Sequence, residues 1–366
     1  MRILIGLILI GLIGGASCRK PGRIYIVPGD GKYDSESLSG SMQKEFEKIA
    51  ASVKKLYCIA DYREYYFAES ENIRTADLAN FFINKRAYSS RNVNKSVIGT
   101  ATIIYSTLDR IALLTCAHVL DFPDTLITYY DTRKERIKGV AFKIKQENIV
   151  FEIPQADNFE IIALDSVSDI AVLGKTFTRS FSTLVSRPPD RSDGVEKPDI
   201  ATMQPISILP ILPYKLGNSR ELEWGCITYV IGYPLGNMMM TRGLVSSPHR
   251  GKDGYFLLDA LFNRGMSGGL VLAVRDGIPN FEVVGMAKSV AADARHWLVP
   301  NPNLNLPSDN TELSYDGKSY VVYASQINYG ITYPIPSDVI RQFFKRHQLD
   351  FMSLGYDFSS WIDKKG

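Results

Sequence analysis

The chain has 366 residues, 45% of them apolar and 22% charged, and its 42 basic and 39 acidic side chains leave a net charge of +3. This is the make-up of a globular protein with a sizeable core, and it excludes a largely disordered chain. So small a bias gives no reason to expect a nucleic-acid partner, and no basic stripe interleaved with aromatics is present in the sequence.

The first 18 residues stand apart. Met1-Arg2 is a short positive start, Ile3 to Ile13 is an almost unbroken run of Ile, Leu and Gly, and Gly14-Gly15-Ala16-Ser17-Cys18 follows. This is the three-part layout of a secretory signal. The run is shorter than the ~20 residues that span a bilayer. Ala16-Ser17-Cys18 resembles a bacterial lipobox, with Gly15 where that pattern usually has Leu. The resemblance implies acylation of Cys18 and a periplasm-facing lipoprotein of the bacterial cell envelope. Ordinary cleavage near Ala16 would instead release a secreted protein.

Residues 19–40 hold early Gly and Pro and then a Ser-rich stretch, the composition of a tether. Phe46, Ile49, Val53 and Leu56 recur at three- and four-residue steps and predict an amphipathic helix over 41–57. Short runs rich in Val, Ile, Tyr, Phe and Thr then dominate, among them 97–105, 111–115, 125–130, 149–153, 170–173, 226–231, 255–258, 269–274 and 283–286. Many short strands with few helical patterns predict an all-β barrel or sandwich. Residues 179–222 and 291–318 read as surface insertions, and long loops in compact domains are often functional. Pro336-Ser337-Asp338 followed by Val339, Ile340, Phe343 and Phe344 predicts a C-terminal helix with one apolar face.

Cysteine use is sparse. Beyond Cys18 there are Cys58, Cys116 and Cys226, an odd number that cannot all pair within the chain. Cys116 stands two residues before His118 and invites reading as a nucleophile. The apolar run Ile111-Ala112-Leu113-Leu114-Thr115 before it argues for a buried, inert thiol. No metal, nucleotide or other cofactor is expected: the histidines do not cluster at ligand spacing, and no phosphate-cradling glycine loop is present in sequence.

Three motifs carry chemistry. Leu114-Thr115-Cys116-Ala117-His118-Val119-Leu120 delivers a histidine at the end of an apolar run. Ser168-Asp169-Ile170-Ala171-Val172-Leu173 sets an acid at the mouth of another. Asn263-Arg264-Gly265-Met266-Ser267-Gly268-Gly269 holds a serine between glycines before a strand. A serine hydroxyl needs a base to take its proton. A neutral imidazole does so near pH 7, and a buried carboxylate fixes its tautomer. Glycines let successive N–H groups converge on the oxyanion of a tetrahedral intermediate. The order His, Asp, Ser is that of the chymotrypsin arrangement. Gly265-Met266-Ser267-Gly268-Gly269 also fits the G-x-S-x-G elbow of α/β-hydrolases, a fold that needs its acid and histidine after the serine. Only His296 and His347 follow Ser267, and neither has a convincing acid partner in sequence.

These motifs resemble the trypsin-like serine peptidases, and most of all their bacterial Deg/HtrA branch, over roughly residues 97–345. Ile231-Gly232-Tyr233-Pro234-Leu235-Gly236, Arg242-Gly243-Leu244-Val245-Ser246-Ser247 and Gly330-Ile331-Thr332-Tyr333-Pro334-Ile335-Pro336-Ser337 add to the likeness. The resemblance implies two six-stranded β-barrels with the site in the cleft between them, flanked by an N-terminal and a C-terminal helix. The protease domain would span 41–350, with 351–366 as a tail. Ser267 would be the nucleophile, His118 the general base and then acid, and Asp169 the orienting acid. The N–H groups of Gly265 and Ser267 would form the oxyanion hole. Leu261, six residues before Ser267, would lie at the base of the primary specificity pocket and direct cleavage after small or medium apolar residues. The expected activity is that of a serine endopeptidase acting on exported proteins or peptides. The alternative is a protease-like binding or sensing module with little turnover. Met266 and Arg264 depart from the branch's usual residues before the serine, and the 29 residues after Ser337 are too few for its PDZ domain.

Overall fold

The computed structural model describes residues 29–34, 42–79, 83–131, 133–153, 158–177, 208–251, 254–300 and 317–363. The expected signal segment with Cys18, most of 179–222 and the centre of 291–318 lie outside the described residues.

The first helix, α1 (Gln43–Ser52), is shorter than its periodicity predicts, and β1 (Val53–Tyr66) begins where the helix was expected to continue. Leu56, Cys58, Ala60 and Tyr62 are all buried. That two-residue period belongs to a strand. It is obscured in sequence because Tyr57 and Ile59, on the opposite face, are also apolar. β1 joins a seven-stranded sheet with β2 (Ser89–Ser106), β3 (Arg110–Cys116), β4 (Thr125–Tyr129), β5 (Ile137–Val150), β6 (Glu160–Asp165) and β7 (Ile170–Thr176). Its order is β4-β5-β1-β2-β3-β7-β6, with antiparallel neighbours throughout.

The second sheet closes on itself. It contains β8 (Ile227–Gly232), β9 (Met239–Arg250), β10 (Tyr255–Leu258), β11 (Leu270–Val274), β12 (Phe281–Val299) and β13 (Tyr320–Pro336), in the cyclic order β10-β13-β12-β11-β8-β9. The predicted β architecture is therefore the one found: six strands make the second barrel, and the first, curled sheet carries seven. Strand β11 shows how the halves share their apolar residues. Val271 and Ala273 point into the second barrel with Val230, Val284 and Phe256, whereas Leu270, Leu272 and Val274 join the large core shared with the first sheet.

Both ends of the domain differ from expectation. Residues 29–34 fall within the stretch read as a tether, yet they lie against the second barrel. Tyr33 is buried, its hydroxyl donates to Glu282 Oε2 at 2.7 Å, and the Arg275 guanidinium stacks on its ring at 4.1 Å. At the other end, α2 (Ser337–Arg346) is followed by α3 (Gln348–Ser353) and α4 (Ser359–Ile362). Residues 351–363 are thus not a tail. Phe351, Phe358 and Trp361 are buried against Phe344, and Trp361 Nε1 donates to the Tyr214 carbonyl at 3.0 Å. An apolar cluster of this size repays the ordering of a terminal segment.

Candidate active site

The antiparallel pairing of β3 with β7 sets Cys116 opposite Ile170, so the residues just beyond each strand meet at one end of the sheet. His118 lies in the short helical turn Ala117–Val119 that follows β3, and Asp169 immediately precedes β7. The two are joined three times: His118 N–H donates to Asp169 Oδ1 at 2.9 Å, and His118 Nδ1 lies 3.0 Å from Oδ1 and 2.9 Å from Oδ2. The Asp169 carbonyl also accepts the Ala117 N–H at 3.1 Å. Asp169 is buried, while the His118 ring is about half exposed and turns its other edge to solvent. Among the described residues His118 Nε2 makes no hydrogen bond, so it is open to a proton from outside. Asp169 holds φ at 60°, a conformation costing an aspartate of order 1 kcal/mol that its bonds to His118 and Ala117 offset.

The serine turn is built across both sheets. Thr100, on β2, donates its N–H to the Ser267 carbonyl at 2.8 Å, and its hydroxyl donates to the Gly265 carbonyl at 2.7 Å while accepting the Tyr233 N–H at 2.9 Å. Inside the turn, Met266 N–H donates to Asn263 and Gly269 N–H to Met266. Gly265 has φ +100°, and a Cβ there would meet the Tyr233 carbonyl oxygen at 2.2 Å. Gly268 has φ +88°, and a Cβ there would stand 2.1 Å from the Thr100 carbonyl oxygen. Neither position accommodates another residue. Among the described residues the N–H groups of Gly265 and Ser267 have no protein acceptor, the condition for binding an oxyanion. Met266, whose apolar side chain departs from the resembled pattern, is buried inside the second barrel with Phe262 and Ala287.

The Ser267 hydroxyl donates to the Lys288 carbonyl at 3.2 Å rather than to His118. Lys288 is the extra residue of a bulge in the pairing of β12 with β13, and bulges commonly re-aim strands beside reactive sites. Its Nζ reaches to 3.8 Å from Asp169 Oδ2, so this one residue touches both the serine and the acid. The three predicted residues are thus gathered at one site, His118 and Asp169 by direct bonds and Ser267 through Lys288. Thr100 and Lys288 were missed in sequence: Thr100 reads there as one more strand residue, and nothing marks Lys288.

Leu261 is a correction. It is 63% exposed, whereas its neighbours Ala260 and Phe262 are buried. A side chain in that position does not floor a closed pocket, and the preference for small apolar residues inferred from it loses its basis.

Cys116 Sγ, a ring nitrogen of His118 and an Asp169 oxygen lie within 4.8 Å of one another. The thiol is fully buried, donates to the Ala287 carbonyl at 3.2 Å, and burial drives its pKa well up. A neutral thiol of this kind is a poor metal ligand and a poor nucleophile. Cys58 behaves alike, its pKa pushed up to about 12 by burial, and Cys58, Cys116 and Cys226 are all unpaired and buried.

The family described as trypsin-like peptidase domain matches residues 99–286, just over half of the chain and all three motifs. The chain belongs to the trypsin-like peptidases. No curated protein matches it. Among solved structures, that of Deg5 is similar to this trypsin-like peptidase at 17% identity, covering 69% of this chain and 88% of that one with a TM-score of 0.33.

Proposed function

We propose that the chain is a serine endopeptidase that hydrolyses peptide bonds through an acyl-enzyme intermediate. The observation that carries this reading is the buried Asp169 carboxylate fixing the His118 ring by Nδ1, with Nε2 open and two unused N–H groups at the serine turn. In the first half-reaction Ser267 Oγ attacks the scissile carbonyl carbon as its proton passes to His118 Nε2. The oxygen of the tetrahedral intermediate takes up charge and accepts from Gly265 and Ser267 N–H. The C–N bond then breaks, the leaving amine receives the proton from Nε2, and an ester to Ser267 remains. In the second half, water attacks the ester carbon and gives its proton to Nε2. The acid is released, and the serine regains its proton.

Asp169 stabilises the imidazolium in each half without itself being protonated. For the first step the hydroxyl must turn from the Lys288 carbonyl toward Nε2. That engaged hydroxyl is the observation favouring the second reading, a protease-like binding or sensing module with little turnover. Incubation with denatured casein separates the two. Fragments from wild type and none from Ser267→Ala support hydrolysis, and an inert wild type supports the second reading.

The same proposal includes export. The Met1–Cys18 segment supports a signal peptide with Cys18 as the acylated first residue, placing the enzyme on the bacterial cell envelope. Metabolic labelling with an alkynyl fatty acid tests this: label in wild type but not in Cys18→Ser is expected, and label in neither would contradict it.

A further inference from the structure

The acid sits at the end of a short turn. Asp165 pairs with Ile170, and Ser166, Val167, Ser168 and Asp169 join β6 to β7 between them. The Asp165 carboxylate organises this turn from its first end. Its Oδ1 accepts the Val167 N–H at 2.9 Å and the Ser168 N–H at 3.3 Å, the local bonding by which an aspartate fixes a turn. Its Oδ2 is buried and lies 2.9 Å from Arg346 Nη2. Asp169, at the other end, faces Lys288 Nζ at 3.8 Å. Both carboxylates are largely buried, and each meets a cation from the second half of the chain, the half that carries Ser267.

Arg346 is the last residue of α2, which starts directly after β13. The helix is held firmly. Ser337 Oγ accepts the Ser219 N–H at 3.0 Å, Arg341 joins Asp338 at 2.9 Å and donates to the Gly217 carbonyl at 2.8 Å, and Val339, Ile340, Phe343 and Phe344 are buried. Its ten residues, at 1.5 Å each, span about 15 Å. They run from the end of the second barrel to the acid-bearing turn of the first sheet. The helix is thus a strut between the half that holds the serine and the turn that holds the acid.

Resting on the endopeptidase reading, we propose that Arg346, acting through Asp165, is a positioning residue for Asp169. It touches no reacting atom. Its side chain is 57% exposed, and an ion pair with one exposed partner adds little to global stability. What it does is fix the turn. Asp169 holds φ at 60°, and its Oδ2 must stay beside His118 Nδ1, 2.9 Å away. A misplacement of about 1 Å there costs up to roughly a hundredfold in rate. Without Arg346 the buried Asp165 oxygen loses its counter-charge, and the turn relaxes toward water with Asp169 at its end.

The test uses the full chain with Arg346→Met, which keeps the stem and removes the charge, Arg346→Lys, which restores the charge, and Asp165→Asn, which keeps an acceptor for Val167 and Ser168. Turnover of fluorescent casein should fall about tenfold or more in Arg346→Met, in kcat and not in KM, with little change in the thermal transition. Arg346→Lys should recover most of the loss. Arg346→Met added to Asp165→Asn should cost no more than Asp165→Asn alone, because the two residues act as one unit. A second readout needs no turnover. The Ala117 and His118 amides both donate to Asp169, so their hydrogen exchange reports its placement. Exchange there should quicken in Arg346→Met while the amides of the second barrel keep the parent's rates. Arg346→Gln replaces Arg346→Met if the latter does not retain the parent's thermal transition.

Full turnover in Arg346→Met, with Ala117 and His118 exchanging at the parent's rates, would overturn the proposal. A rise in KM at constant kcat would place Arg346 in substrate contact instead. Additive losses in the double variant would mean that Arg346 does not act through Asp165. Faster exchange throughout the chain, with a lowered thermal transition, would reduce its role to general stability. If wild type cuts no casein, the catalytic reading fails there, and the exchange of Ala117 and His118 still decides whether Arg346 holds Asp169 in place.

Discussion

The Thr100 hydroxyl donates to the Gly265 carbonyl across the interface between the two sheets, at 2.7 Å, and in doing so fixes the peptide preceding Met266. The same oxygen accepts from Tyr233, and the Thr100 N–H holds the Ser267 carbonyl. Thr100 is a positioning residue: it touches no reacting atom, yet the path of the serine turn depends on it. Replacing it by Val keeps the volume and strands two buried groups, each costing about 1–3 kcal/mol. Thr100→Val should therefore lower stability and turnover together. Thr100→Ser should restore kcat more fully than it restores thermal stability, because it returns the hydroxyl without the methyl. Equal recovery of both, or full activity in Thr100→Val, would remove Thr100 from this role.

Asp169 fixes His118 through both backbone and ring, so its charge and its geometry are separable. Asp169→Asn keeps the shape and an acceptor oxygen while favouring the wrong imidazole tautomer. Turnover should fall by roughly ten-thousandfold with little change in the unfolding midpoint. Near-normal turnover in a steady-state assay would mean that another acid orients the ring.

Gly265 holds φ at +100°, and a Cβ there would meet the Tyr233 carbonyl oxygen at 2.2 Å. Gly265→Ala must therefore displace the serine turn, and it should lower the thermal transition and reduce kcat by about a hundredfold or more together. Wild-type turnover with an unchanged thermal transition would show that the turn does not require glycine at this position.

The C-terminal segment is structural in the same sense as the barrels. Trp361→Ala removes a buried indole packed on Phe344 and should cost about 3–5 kcal/mol, read as a lower urea midpoint at an unchanged slope. A shift under 1 kcal/mol would mean that the segment is dispensable.

Much of this was legible in the residues. The three motifs located His118, Asp169 and Ser267 because each couples a strand end to a residue type that chemistry demands there, and the strand density gave the fold class. What stayed hidden depends on contacts that sequence spacing does not encode. The alternation in β1 was covered by apolar residues on its second face. Tyr33 gave no sign of Glu282 and Arg275, which lie some 240 to 250 positions away and hold it to the barrel. Leu261 was placed by analogy with a pocket floor, whereas the local path of the chain turns it outward between two buried neighbours. Lys288, which meets Ser267 and Asp169, sits at a bulge in the pairing of β12 with β13 that the sequence does not mark.

The most direct measurement is covalent labelling of the folded, purified chain with a fluorophosphonate, followed by mass mapping of the adduct. The account predicts one adduct, on Ser267 Oγ, abolished by Ser267→Ala and strongly slowed by His118→Ala. An unlabelled wild type, or labelling at equal rate in the His118→Ala chain, would contradict an activated serine at this site.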